Sequence, residues 1–140
     1  MIVNGGEMED SLIIAFGTDD GENLNNDHVG MARDFHLYRF SDGREEFIER
    51  RPNSKLAGDE SMKHGDPEKA KATSSALVGV DVLVGKKFGP NITRLLKKFV
   101  CVVVKTDSIS TAIETVHGNM VRVIHEKAEG EDRKAIVLRP

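Results

Sequence analysis

Residues 12–40, LIIAFGTDDGENLNNDHVGMARDFHLYRF, decide how this chain is read. Leu12-Ile13-Ile14-Ala15-Phe16 has the length and composition of a strand buried on both faces. Gly17 ends that run. The residues after it (Thr18, Asp19, Asp20, Gly21, Asn23, Asn25, Asn26, Asp27) are turn formers that cannot bury a core face. His28 stands at the far end of this polar loop. Asp34 to Phe40 brings back aromatic and β-type residues, and Ser41-Asp42-Gly43-Arg44 predicts a hairpin turn into a third strand. A loop this long between two strands is usually functional or disordered, so it draws attention before any chemistry is named.

The bulk properties narrow the classes. A chain of 140 residues holds about one domain. The net charge is −3 with both signs mixed along the chain, which argues against a basic nucleic-acid or anionic-membrane surface. Aromatic residues are only 5% and Trp is absent, so base-stacking platforms are not expected. No apolar run approaches the ~20 residues that span a bilayer. The first ten residues lack the basic start and apolar middle of a signal peptide. A single cysteine, Cys101, excludes an internal disulfide and any all-cysteine metal site within one chain. The expectation is a soluble, cytoplasmic protein.

Outward from the opening stretch, residues 1–11 predict a flexible tail. In Arg44–Arg50, Phe47 and Ile48 sit among Glu45, Glu46, Glu49 and Arg50, a charge pattern that suits a sheet edge. That exposed edge leaves a homodimer open. Asn53 to His64 reads as a surface loop. Asp66-Pro67 predicts a helix start with a capping Asp, running through Ala70, Thr73, Ala76 and Leu77 to Gly79. Val80–Gly85 predicts a strand. Ile92, Leu95, Leu96 and Phe99 recur on one helical face. Val100–Val104 predicts another strand, and Ser108 caps a helix carrying Ile109, Ala112, Ile113 and Val116. Two strand–helix units in succession imply right-handed crossovers and parallel pairing. Residues 118–140 stand apart as an extension, with a hairpin expected from Met120–His125 and Ala135–Leu138 around Glu129-Gly130-Glu131-Asp132. The fold class is α/β: a ribonuclease-H-like mixed sheet of three antiparallel strands followed by two parallel strand–helix units, with helices on its faces.

With these residues laid out, the chain resembles the dinitrogenase iron–molybdenum cofactor biosynthesis family of cofactor carriers. The first match is Ile14–Gly21 followed by Asp27-His28-Val29-Gly30-Met31-Ala32 and Phe35–Tyr38. It is similar to the family's strand, polar loop, histidine-containing turn and second strand. Gly79–Gly85 with Gly89-Pro90 is similar to its second glycine-rich strand exit, and Ser108–Val116 to the helix after its last strand. Four positions depart: Val29 replaces an aromatic, Met31 an arginine, and Lys86-Lys87 the usual small residues. The resemblance covers residues 12–117 and implies a carrier of an iron–molybdenum cofactor or iron–sulfur cluster in nitrogen fixation. It also implies cluster donor or acceptor proteins as partners, while charge and composition, as above, predict neither nucleic acid nor membrane.

Candidate site residues follow. An imidazole nitrogen suits a borderline metal centre, and His28 matches the family's proposed cluster anchor. A loop histidine bonded to backbone gives the same sequence signal. Cys101 is a second candidate ligand, because thiolates hold iron–sulfur clusters, although a cysteine in an apolar strand is commonly a small hydrophobe. Lys86 and Lys87 follow a strand end and precede a helix starting near Asn91, where anions gather; solvated surface lysines are the plainer reading. Asp19 and Asn26 belong to the same expected rim. Asp19, Asp20 and Asp81 raise a metal-dependent nuclease, but their strand positions do not predict convergence. His36, His64, His117 and His125 lack metal-site spacing, and no phosphate-loop, dinucleotide or nucleophile-elbow motif is present. The first reading is a non-enzymatic cluster carrier. The alternative is a regulatory or interaction domain that binds a small anion or a partner without metal.

Overall fold

In the computed structural model, which describes residues 11–53 and 66–140, one sheet carries every strand. Residues 1–10 of the expected N-terminal tail, the loop after Asn53 and His64 lie outside the described residues. β1 (Leu12–Thr18), β2 (Asp34–Ser41) and β3 (Arg44–Pro52) form an antiparallel meander. The β2–β3 turn places Asp42 and Gly43 at positive φ, 50° and 74°, the conformation that gives a two-residue hairpin loop the right twist. α1 (Pro67–Ala76) leads to β4 (Val82–Gly85), α2 (Ile92–Leu95) to β5 (Val100–Val104), and α3 (Ile109–His117) and α4 (Met120–Lys127) to β6 (Ile136–Leu138). β4 pairs with β1, β5 with β4 and β6 with β5, all parallel, giving the order β3-β2-β1-β4-β5-β6. This is the expected α/β mixed sheet, with one parallel strand more than the sequence reading held.

Strand alternation divides the core into two layers. Ile14, Phe16, Val82, Val84, Val102 and Val104 point to the face covered by α3 and α4. Ala15, Leu37, Leu83 and Cys101 point to the face where Leu77, Leu95 and Phe99 pack. β3 is one edge strand, and several of its charges are paired within the chain, among them Arg50 with Asp34 at 3.0 Å and Arg51 with Glu49 at 3.1 Å. Arg51 also donates to the Val78 carbonyl at 2.7 Å, satisfying a group just past the end of α1.

Three expectations change. The terminal hairpin is absent: Met120–Lys127 is helical and Ile136–Leu138 is a parallel edge strand. A short apolar run bordered by charge fits either state, and here burial of Val123 and Met120 against the α3 layer selects the helix. α2 is one turn instead of spanning Ile92–Phe99, because the chain must descend into β5 immediately afterwards. α1 ends at Ala76, before Gly79. Among the described residues no helix is long and apolar enough to cross a membrane.

Candidate functional site

The order of the sheet reverses at β1, which has antiparallel β2 on one side and parallel β4 on the other. Ligands in open α/β sheets gather outside the carboxyl ends of strands at such a switch point. The loops that leave the carboxyl ends of β1, β4 and β5 meet there.

The polar loop after β1 is held by its own side chains. The Thr18 hydroxyl accepts from Gly21 N at 2.9 Å. Asp20 Oδ1 accepts from the backbone N–H groups of Asn23 and Glu22, each at 2.8 Å, and Oδ2 from the Asn23 amide at 2.9 Å. These donors, the Asn23 backbone first, hold the Asp20 carboxyl well below the usual range. Buried Asn25 donates to the carbonyls of Asp27 and His28 at 3.1 and 3.0 Å, while Asp27 Oδ1 accepts from His28 N at 2.7 Å. The backbone of His28 is therefore fixed from both sides.

Beyond it, buried Val29 pins the loop to the sheet. Its N–H bonds the Lys87 carbonyl at 2.9 Å, and a Cβ at Gly85 would stand 2.7 Å from Val29 Cβ. The half-buried ring of His28 then lies over Gly89, where a Cβ would come within 2.5 Å of Nδ1. Only bare backbone at Gly85 and Gly89 lets the two loops approach this closely. Asn91 fastens the second loop by donating to the Asp66 carbonyl at 3.0 Å, and Asn53 clasps the turn at Val29–Met31 through the Gly30 and Ala32 carbonyls at 2.9 and 2.8 Å.

The expected site residues divide between two clefts. His28 and Asn91 line one with Gly30, Asp66, Lys69 and Thr73; its interior is about 30 Å³, room for roughly one or two waters. Asp19, Asn26 and Lys86 line another, about 290 Å³ and more polar, with Asp20 and Asp107. There Lys86 Nζ donates to Asn26 Oδ1 at 2.6 Å and forms an ion pair with Asp107, so its charge is balanced within the chain. Asp19 Oδ1 accepts from Arg33 N at 2.8 Å, a loop-closing role. Lys87 is exposed and lines neither cleft; its carbonyl, not its ammonium, takes part.

Cys101 is not brought to the site. It is fully buried in β5 with its Sγ toward the Phe99 carbonyl at 3.8 Å, and burial pushes its thiol up to about 12. That is the small-hydrophobe role, because a metal ligand needs an accessible thiolate. The nuclease carboxylates do not converge either. Asp19 and Asp20 flank the carboxyl end of β1, whereas Asp81 precedes β4 at the opposite end, accepting from Ile13 N at 2.8 Å and pairing with Lys127 at 3.4 Å. Among the described residues no three His, Cys, Asp or Glu side chains are grouped as metal ligands.

The sequence reading missed Lys69, Thr73, Asp66 and Asp107. Asp66, Lys69, Ala70 and Thr73 fall at i, i+3, i+4 and i+7, one stripe of α1, so helix phase alone puts Lys69 beside the small residues expected to be buried. A lysine is assigned to solvent by residue type, which hid it.

A family model described as dinitrogenase iron-molybdenum cofactor matches residues 10–126. The chain belongs to this family. No curated protein matches it. The matched span of this dinitrogenase iron-molybdenum cofactor family member starts before β1 and ends within α4, so it contains both clefts and His28, while β6 lies past it.

Proposed function

We propose that this family member is a non-enzymatic carrier that holds an iron–molybdenum or iron–sulfur cluster through the imidazole of His28. The observation that carries the reading is the ring itself: half-buried, on a backbone fixed from both sides, laid over Gly89 at the switch point of the sheet. Imidazole nitrogen is a donor that borderline metals accept, and a backbone fixed in this way holds the ring in place. Among the described residues no three His, Cys, Asp or Glu side chains are grouped as metal ligands, which supports attachment through the imidazole in place of a full ligand cage. One protein ligand favours release, which a carrier between a donor and an acceptor protein requires. The small interior of the His28 cleft supports a cluster seated at the mouth, not inside.

The test is anaerobic incubation of the purified protein with isolated iron–molybdenum cofactor, then with a reconstituted iron–sulfur cluster, followed by gel filtration and visible absorption. Co-elution of colour with wild type and its loss from His28→Ala supports the carrier. A colourless wild type would turn the reading to the alternative, a regulatory domain that binds an anion or partner without metal.

A further inference from the structure

The sheet has two edges, and they are built differently. β3 is guarded. Phe47 pairs with Tyr38 and Glu49 with Leu37, so Ile48 is an extra residue, a bulge that breaks the outer row of backbone groups. Glu45, Glu46, Glu49, Arg50 and Arg51 line that strand, several of them in ion pairs within the chain. Bulge and charge are both devices that keep another chain off an edge. β6 has neither. Ile136, Val137 and Leu138 pair with Val102, Val103 and Val104 in unbroken register, and none of them is charged. Ile136 and Leu138 are buried in the α3–α4 layer, whereas Val137, on the other face, is 42% exposed.

The Leu138 carbonyl accepts from Lys105 N at 3.0 Å. In a parallel ladder one residue turns both its backbone groups to a given neighbour and the next turns both away. Ile136 and Leu138 therefore bond β5, and the Val137 N–H and C=O face outward, with Ala135 and Arg139 next in that alternation. Pro140, which has no N–H, falls on the inward parity and removes nothing from the outward row. We propose that β6 is a homodimerisation edge: β6 of a second copy pairs with it antiparallel, across a two-fold axis at Val137. Two symmetric N–H···O bonds then join the two Val137 residues, and each exposed side chain covers the other. The ends match in charge as well. The turn before β6 exposes Glu131 and Asp132; the end after it exposes Arg139, with Lys105 alongside. Antiparallel pairing lays the basic end of one copy beside the acidic turn of the other, whereas parallel pairing would set like charge against like. The two-fold also points the strands of the two sheets in opposite directions, so the His28 clefts open at opposite ends and neither is closed. β6 lies past the family span, and the proposal is independent of what those clefts hold.

The experiment measures the mass of the full chain by sedimentation equilibrium from micromolar to millimolar concentration, and the exchange rate of the Val137 amide by NMR over the same range. Wild type should dimerise as concentration rises, and the Val137 amide, turned to solvent in the monomer, should become protected in step. Val137→Pro removes only the outward N–H and leaves the bonds to β5 in place, so it should weaken dimerisation about tenfold or more. Arg139→Glu should weaken it about threefold, and adding Glu131→Lys with Asp132→Lys should restore it. This charge series decides the matter if Val137→Pro fails to fold. Ile48→Lys, on the guarded edge, should leave the dimer unchanged. A wild type that stays monomeric at every concentration would overturn the proposal and leave the edge to an extended segment of another protein. A dimer that persists in Val137→Pro, one that Ile48→Lys dissolves, or one that forms with the Val137 amide unprotected would overturn it too. Failure of the added lysines to restore Arg139→Glu would overturn the antiparallel pairing on which it stands.

Discussion

Lys86 and Lys69 stand at the same end of the sheet, on two sides of one loop. The loop straddles the sheet end, with Leu24 packed in the α3–α4 layer and Val29 in the other. Lys86, on the Leu24 side, follows a strand end and precedes a helix, the position where sequence rules place an anion contact. It is instead paired with Asp107, whose side chain is 82% exposed. Lys69, on the Val29 side, is in the first turn of α1, where residue type assigns a lysine to solvent, yet it is buried in the cleft with His28. What separates them is depth of burial and neighbours, not residue type. Lys86 meets a carboxylate from the next loop and acts as a strut, whereas Lys69 lays its ammonium against Met31.

The contrast depends first on how the loop is pinned. Gly85→Val puts a side chain where Val29 already stands, 2.7 Å from its Cβ, and should cost about 1–3 kcal/mol of unfolding free energy in urea titrations. Wild-type stability would mean that Val29 is not wedged and that the two sides are not separated as described. Gly89→Ala comes next. Its Cβ meets His28 Nδ1 at 2.5 Å and displaces the ring, so cofactor affinity should fall about tenfold, or 1.4 kcal/mol, with a smaller change in stability. Equal affinity in anaerobic titration would remove the ring position from the account.

Smaller effects sharpen the same comparison. Lys86→Met should alter stability by no more than about 1 kcal/mol, the range of exposed ion pairs, and a larger loss would show that the strut is structural in a stronger sense. The smallest effect concerns Cys101. Its thiol is raised in the folded protein, so the unfolded chain loses that proton first and binds fewer protons as pH climbs. Stability contributed by this group is therefore present below the ordinary thiol range and declines as pH rises above about 9, until the folded thiol titrates near 12. Iodoacetamide should leave Cys101 untouched in native protein at pH 8 and alkylate it in urea. Rapid native alkylation would reopen its candidacy as a ligand.

Much of the fold was legible because its signals are local. The apolar runs at Leu12–Phe16 and Val100–Val104, the Asp42-Gly43 turn and the caps at Asp66 and Ser108 each act over a few residues, and both capping side chains accept the expected N–H. The C-terminal segment was not, because Val121-Arg122-Val123-Ile124 has β-branched residues at a spacing that fits either state. The helix that forms leaves Val121 77% exposed and buries Val123, an outcome set by packing. At the site, His28 and its loop stood out by composition. Their partners did not: His28 meets Gly89, Lys86 meets Asp107, and Lys69 reaches Met31 across contacts that no spacing rule reports.

The central claim is that the imidazole of His28 is bonded to the cargo metal. The most direct measurement is pulsed EPR of the protein carrying paramagnetic iron–molybdenum cofactor, with histidine labelled by ¹⁵N, for wild type and His28→Ala. The account predicts a histidine-nitrogen coupling to the cluster in wild type and its disappearance in the variant. A cluster bound with no histidine coupling, or with one that survives in His28→Ala, would contradict it.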